Sequence, residues 1–477
     1  MAYEFDLAIV GGGAAGLLAA EIAPQIGLKA ALIERSRLGG DCLWTGCVPS
    51  KALLASAKAA HTIRHADRYG LPPADLQLDT AKVWQRIREL QESIATTDDD
   101  PERYRRLGVD VVFGEATLAD EHTVRAGERT LSAKYILICT GSRPAAPPID
   151  GLEETGYLTS ETIFQLDRAP ESIVIVGAGP IGVEMAQGLN RLGVKVTLLD
   201  LLPRILERDE PALSETLLRI LRDEGVEVHL NCREHRVSRR DGRKVVNAVV
   251  DGEEHELCAD EILIAAGRTA NIDALGLDGI GVKTGPRGIV VDAKLRSSVP
   301  SVYAVGDAAG RYLFTHSAGA ETTTVIRNMF YPGSKSAPDL IPWATFTDPE
   351  LAHVGMTADE ARKAHGEANV RVFQWDFQRN DRARVDSAGP GLMVVVTDSG
   401  YKILGAHILA PAAGEMIGQF TIAMEQGIPL MPAFRDIIQV YPTFSSSIPQ
   451  LTQDAAYEQL AKPLYRGLRR VNDIFGV

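Results

Sequence analysis

The chain has 477 residues, enough for about three domains, and its 45% hydrophobic and 24% charged residues are the balance of a soluble globular protein. A net charge of −13, with no basic tract beyond Arg466-Gly467-Leu468-Arg469-Arg470, argues against a nucleic-acid partner. No apolar run has the length of a membrane-crossing helix, the acidic first residues are not a secretory signal, and five cysteines do not make a disulfide scaffold, so a cytoplasmic protein with no membrane partner is expected.

Asp6 to Val10 is a short apolar run that enters Gly11-Gly12-Gly13-Ala14-Ala15-Gly16. A helical stretch from Leu17 to Ile26 follows, then a second strand, Ala30 to Ile33, with Glu34 at its end. This is the grammar of a βαβ unit that binds a dinucleotide. Gly11, Gly13 and Gly16 allow a tight turn and close approach to a pyrophosphate, and Glu34 is placed to accept from a ribose.

Cys42 and Cys47 lie in Gly39-Gly40-Asp41-Cys42-Leu43-Trp44-Thr45-Gly46-Cys47-Val48-Pro49-Ser50-Lys51. On a regular helix five residues rise about 7.5 Å and rotate roughly 140°. A disulfide needs Cα atoms about 4.4–6.8 Å apart, so closure requires an irregular first turn, which Gly46 and Pro49 permit. The scattered Cys139, Cys232 and Cys258 offer no zinc spacing and read as buried small apolar residues. A reactive pair is favoured over two inert thiols because it opens a helix, where thiolates are stabilised. His61 and His65, one helical turn apart, read as exposed helix residues, since no third ligand accompanies them. Ala81 to Leu107 reads as charged helix broken by a solvated turn at Asp98-Asp99-Asp100.

From Ser172 the first grammar repeats. Ser172 to Val176 enters Gly177-Ala178-Gly179-Pro180-Ile181-Gly182, a helix runs to Leu192, and Val194 to Leu199 leads to Asp200. Gly177, Gly179, Gly182 and Asp200 therefore form a second dinucleotide site. A carboxylate there suits a free ribose hydroxyl and hence NAD(H), although Arg204 could serve a 2′-phosphate, so NADP(H) stays open. Prolines 338, 342 and 349 mark a boundary, beyond which alternating runs at 391–396 and 403–406 suggest an α+β domain. The last stretch, Tyr457 to Phe475, spaces Leu460, Leu464, Leu468 and Val471 as a packing helix.

The cysteine segment closely resembles the redox-active disulfide motif of the pyridine nucleotide–disulfide oxidoreductases, which include dihydrolipoamide dehydrogenase, glutathione reductase and mercuric reductase. Thr140-Gly141-Ser142-Arg143-Pro144, Ala266-Gly267-Arg268-Thr269-Ala270-Asn271, Val302 to Asp307 and Phe346 to Glu350 resemble further motifs of that family, so the likeness spans nearly the whole chain.

The resemblance implies an α/β fold with two Rossmann-like domains, for FAD and NAD, and a C-terminal α+β dimerisation domain. Its segments would be 1–150 and 271–342 for FAD, 151–270 for the nicotinamide nucleotide and 343–477 for dimerisation. It implies FAD binding by Gly11, Gly13, Gly16, Glu34, Lys51, Thr140, Gly141, Asp307 and His316. NAD(H) binding would fall to Gly177, Gly179, Gly182, Asp200, Gly267 and Arg268.

Electrons would run from NADH through flavin to a Cys42–Cys47 disulfide and on to substrate. Cys47 would face the flavin, Cys42 would exchange with substrate, and Lys51 would sit beside the flavin, paired with Glu184. Where dihydrolipoamide dehydrogenase and glutathione reductase carry a histidine base and a nearby glutamate, this chain has Tyr441 and Ser446. Tyr441 would meet the disulfide of a partner subunit, which makes the homodimer the expected active form. The expected substrate is a small disulfide or dithiol, lipoyl groups included. A metal ion or quinone acceptor is the alternative, since mercuric reductase resembles this chain at Tyr441, and a non-catalytic flavoprotein subunit is the third reading.

Overall fold

The computed structural model describes residues 3–460 and 463. The first sheet runs Asp110–Phe113, Ala30–Glu34, Phe5–Val10, Arg129–Ile138, Thr123–Ala126, Ala116–Asp120, with Val302–Ala304 also paired to Arg129–Ile138. Its central strands are parallel: Val10 lies opposite both Ile33 and Ile138. A parallel sheet covered on both faces needs apolar residues at successive positions, and Leu7, Ala8, Ile9 and Val10 are all buried. The return strand Val302–Ala304 explains how residues far along the chain rejoin this unit. It leads into helix Thr315–Phe330, whose Thr322 hydroxyl donates to the Ala15 carbonyl in helix Ala14–Gln25.

A second parallel sheet orders Glu227–His229, Lys195–Leu199, Ser172–Val176 and Glu261–Ile264. Every residue of Ser172–Val176 is buried, and helix Pro180–Arg191 starts directly after its glycine turn. Proline at the first helical position supplies the right φ and lacks only an N–H that would have no helical partner. Three antiparallel strands, Cys232–Arg240, Arg243–Val250 and Glu253–Ala259, flank this sheet.

From residue 343 five antiparallel strands form a separate sheet: Trp343–Thr345, Glu350–Gly355, Ile403–Ala410, Leu392–Asp398 and Val370–Asp376. Helix Ala413–Glu425 covers it through Met416, Ile417 and Phe420, in a core with Trp375, Phe377 and Phe434. The two doubly wound sheets and this α+β sheet are the expected fold class. A helix also occupies Ser447–Leu460, upstream of most of the expected Tyr457–Phe475 helix, whose remainder lies outside the described residues. No helix among the described residues is long and apolar enough to cross a membrane.

Candidate active site

The two glycine turns are near copies. Gly11 and Gly177 have φ of +109° and +107°, and a Cβ on Gly16 or Gly182 would sit 1.8 Å from the preceding turn's carbonyl oxygen. Only glycine fits such a turn. Glu34 accepts from the Gly12 N–H at 2.7 Å and the Ser36 N–H at 2.9 Å, while Asp200 accepts from the Ala178 and Leu202 N–H groups. Each acid thus ties the end of its second strand back to the glycine turn.

The buried Thr140 hydroxyl finds no hydrogen-bond partner among the described residues. It stands at the carboxyl end of the first sheet, where an α/β sheet binds its ligand. Asp307 lies nearby, raised in pKa by burial and accepting from the Ser142 hydroxyl. This polar cradle beside the first glycine turn fits the ribityl and pyrophosphate portions of FAD.

Arg268, expected with the nicotinamide set, is placed elsewhere. Its Nε donates to Ser142 Oγ at 2.7 Å, its Nη2 reaches Asp41 Oδ2 at 3.0 Å, and Asp307 is 3.7 Å away. Those neighbours belong to the flavin set and the cysteine segment, not to Gly177, Gly179, Gly182 or Asp200. The short strand Arg268–Ala270 pairs antiparallel with Ser142–Pro144, which carries the side chain there. Arg204 is held by its own turn, donating to the Glu207 carbonyl at 3.0 Å with the Glu207 carboxylate at 3.3 Å.

The cysteine segment breaks as its glycines require. Helix Gly40–Trp44 stops, the Gly46 N–H turns back to the Asp41 carbonyl at 2.6 Å, and helix Cys47–Arg64 begins. Both thiols are unbridged. The neighbouring Cys42 thiol, together with the Thr315 hydroxyl and the Lys51 charge, lowers the Cys47 pKa to about 6 against the effect of burial. The neighbouring Cys47 and burial push the Cys42 thiol up. Thr315 Oγ1 lies 3.6 Å from Cys47 Sγ.

Lys51, one turn into the same helix, meets Glu184 at 2.8 and 3.1 Å. Glu184 is buried and also accepts from the Phe346 N–H at 2.8 Å, and Lys51 lies 4.5 Å over the Phe346 ring. Lys51, Glu184 and Phe346 come from three different sheets' neighbourhoods and meet beside the cysteine pair.

His316 is exposed, hydrogen-bonded through Nε2 to the Pro342 carbonyl at 2.7 Å and stacked on Phe314. Tyr441 is 67% exposed and donates to Asp381 Oδ2 at 2.8 Å, a bond that raises its pKa. Ser446 Oγ donates to the Thr443 carbonyl at 2.7 Å. Two readings of single residues need correction. Cys258 is exposed, on a strand of the antiparallel ribbon opposite Val245 with Arg240 Nη2 3.6 Å from its Sγ, because that ribbon's outer face meets solvent. His61 and His65 are half-buried with rings 4.2 Å apart, and burial lowers His61 to about 4.

Sequence reasoning passed over Thr315, Asp41, Ser142 and Phe346. Each adjoins or lies inside a motif already singled out, which was the available signal. Three-residue groups of His, Cys, Asp and Glu able to hold a metal are absent among the described residues.

The family model for pyridine nucleotide-disulphide oxidoreductases matches residues 5–322, and the model for that family's dimerisation domain matches residues 341–452. A mercuric reductase of Streptomyces lividans is 37% identical over 440 residues, covering 89% of this chain and 90% of its own. A dihydrolipoyl dehydrogenase of Chlorobaculum tepidum is 33% identical, covering 95% and 98%. Among solved structures, the Cu(II) complex of the HOCl-induced flavoprotein disulfide reductase RclA from Escherichia coli superposes with a TM-score of 0.83 at 28% identity, covering 95% of this chain and 99% of that one. The chain belongs to the class I pyridine nucleotide-disulphide oxidoreductase family and is an FAD-dependent NAD(P)H–disulfide oxidoreductase.

Proposed function

We propose that the chain prefers NAD(H), exchanges electrons with a small-molecule disulfide or dithiol through Cys42 and Cys47, and works in the cytoplasm as a homodimer. The observation that carries the reading is the placement of Cys42 and Cys47 on either side of the Gly46 turn, with Thr315 Oγ1 3.6 Å from Cys47 Sγ and the Lys51–Glu184 pair one helical turn on, at 2.8 Å.

Gly11, Gly13, Gly16, Glu34, Thr140, Gly141 and Asp307 would hold FAD, with Lys51 and Thr315 next to the cysteine it communicates with. FAD, when bound, supplies two-electron exchange between the nicotinamide and the cysteine pair. Gly177, Gly179, Gly182, Asp200 and Gly267 would hold the nicotinamide nucleotide. Asp200 suits a ribose hydroxyl, and the engagement of Arg204 with Glu207 supports NAD(H) over NADP(H).

In the reductive direction Cys42 gives its thiol proton to solvent and attacks one sulfur of the substrate disulfide as the thiolate, and the leaving thiolate takes a proton from solvent in turn. A mixed disulfide forms and the first thiol departs. Cys47 then attacks Cys42 Sγ, the second thiol departs, and the Cys42–Cys47 disulfide remains, oxidised by two electrons that NADH replaces. Lys51 stabilises the Cys47 thiolate, and Glu184 holds Lys51 in place. Tyr441, with its raised pKa, donates a hydrogen bond and does not act as base.

The alternative acceptor is a metal ion. Tyr441 in the place of a base and the Cu(II) complex of the similar RclA favour it. Anaerobic reduction of NAD⁺ by dihydrolipoamide across pH separates the two. Fast turnover supports the dithiol reading, whereas negligible turnover with rapid NADH-dependent reduction of Cu(II) supports the metal.

A further inference from the structure

A cavity of about 360 Å³ opens beside Cys42, with Gly39, Leu43 and Val48 of the cysteine segment forming part of its wall. Leu17 gives it an apolar wall, while Glu21, Asp98, Asp99 and Arg103 supply its charges. Arg103 is already committed: it reaches Glu21 Oε1 at 2.7 Å and donates to the Asp98 carbonyl at 3.2 Å. The cavity thus carries three carboxylates, Glu21, Asp98 and Asp99, against the single guanidinium of Arg103, whose charge acts on all three. Asp99 is half-buried and packs against the backbone at Gly39, where a Cβ would come within 2.9 Å of its Oδ2. Burial and the neighbouring Asp98 raise the Asp99 pKa against the opposing charge of Arg103, a cost that a bound cation relieves and a bound anion deepens.

We propose that this cavity makes the Cys42 thiol selective for cationic thiol-reactive substrates, such as a diamine disulfide, over anionic ones. The inference rests on Cys42 being the thiol that exchanges with substrate. The reaction is that described for any disulfide: Cys42 Sγ bonds to one substrate sulfur, the S–S bond breaks, and one aminothiol leaves with the electron pair and takes a proton. Cys47 then displaces the second, and the two electrons come from NADH.

The test uses the FAD-loaded Cys47→Ser/Cys258→Ser protein, which removes the two exposed thiols and leaves the half-buried Cys42 with the buried Cys139 and Cys232. Cys42 is treated with trimethylammonioethyl or sulfonatoethyl methanethiosulfonate, and modification is followed at its peptide by mass spectrometry. In each reaction the thiolate bonds to the thio sulfur and methanesulfinate leaves. The ratio of cationic to anionic rate should exceed that of neutral 2-mercaptoethanol by about tenfold or more. Asp98→Asn/Asp99→Asn should bring the ratio down to that of mercaptoethanol.

A parent ratio equal to or below that of mercaptoethanol overturns the proposal, as does a ratio that the double substitution leaves unchanged. If that variant fails to fold, the parent in low and in molar salt decides: screening collapses a charge-driven ratio, and a constant ratio overturns it. Turnover of cystamine and dithiodipropionate by the wild-type holoenzyme with NADH is measured alongside. Reduction of neither sinks the disulfide reading, while the probe ratio still decides the charge preference.

Discussion

Lys51 Nζ and Glu184 Oε2 meet at 2.8 Å although one belongs to the helix of the cysteine pair and the other to the helix of the second glycine turn. Glu184 is buried, and its other oxygen takes the Phe346 N–H from the third sheet's edge. One carboxylate therefore joins all three parts of the chain at the site. Removing Lys51 leaves that carboxylate with a backbone N–H as its remaining partner. Because Lys51 itself is 38% exposed, the loss is smaller than for a fully buried pair, about 1–2 kcal/mol. Lys51→Met should lower the thermal midpoint of the holoenzyme by a few degrees. It should also move the Cys47 titration upward, read from the long-wavelength absorbance of the NADH-reduced protein against pH.

Cys47 has a folded-state pKa below its ordinary value, so its thiolate is present above about pH 6 and is lost as pH falls through that value. The stability tied to the thiolate follows the same sign, full above the unfolded thiol pKa and gone in acid. Since the neighbouring Cys42 thiol is the largest cause, Cys42→Ala should raise the Cys47 titration more than Cys42→Ser, which keeps a hydroxyl there. Thiolate ultraviolet absorbance across pH checks this. Cys42→Ser should keep NADH-dependent flavin reduction and lose disulfide turnover, and unchanged turnover would take the pair out of the mechanism.

Arg191 is buried and forked between Glu224, at 2.6 and 2.8 Å, and Asp348, at 2.8 Å. It binds the second sheet's helix to the opening of the third domain. Arg191→Met leaves Asp348 with Lys58 at 3.1 Å and Glu224 with Gln187 Nε2 at 3.3 Å as remaining partners, and should cost about 3 kcal/mol, seen as a fall in thermal midpoint. Burial pushes the Asp348 pKa up, but the charges and hydrogen bonds of Arg191 and Lys58 together outweigh it and hold Asp348 below its usual value. The contribution of this carboxylate is present above its unfolded pKa and disappears as pH drops through the folded one. Wild-type stability should therefore fall in strong acid, and the Arg191→Met protein should show less of that fall.

Tyr441→Phe should change turnover of a disulfide by less than tenfold, since a phenol held neutral by Asp381 is no base. Tyr441→His should raise dihydrolipoamide oxidation, within the roughly 10²–10⁴-fold that a well-placed base supplies. Steady-state rates across pH read both. No gain with histidine would mean that proton removal does not limit this reaction.

Ile438 and Val440 are 98% and 77% exposed beside Tyr441, an apolar stretch that a dimer would cover. Ile438→Asp/Val440→Asp should shift the protein from dimer to monomer in sedimentation and abolish turnover, while NADH still reduces the flavin. A monomer with full turnover would contradict a site shared between subunits.

The two glycine-turn units, the break in the cysteine segment and the order of the three sheets were all legible in the residues alone. Those features are local: a β strand, a turn only glycine can make, and a helix leave a period and a residue type that can be read within 30 or so residues. The irregular turn between Cys42 and Cys47 was legible for the same reason, through Gly46. Tertiary structure alone decided that Thr315 would reach Cys47, that Arg268 would join Asp41 and Asp307, and that Asp98 and Asp99 would face the cavity at Cys42. The turn at Asp98-Asp99-Asp100 looked merely solvated because its own helix explains it, with Asp100 as N-cap accepting from the Glu102 N–H. Such contacts depend on how one sheet's loops are carried against another's, and no periodicity within a segment encodes the partner that packing brings to it.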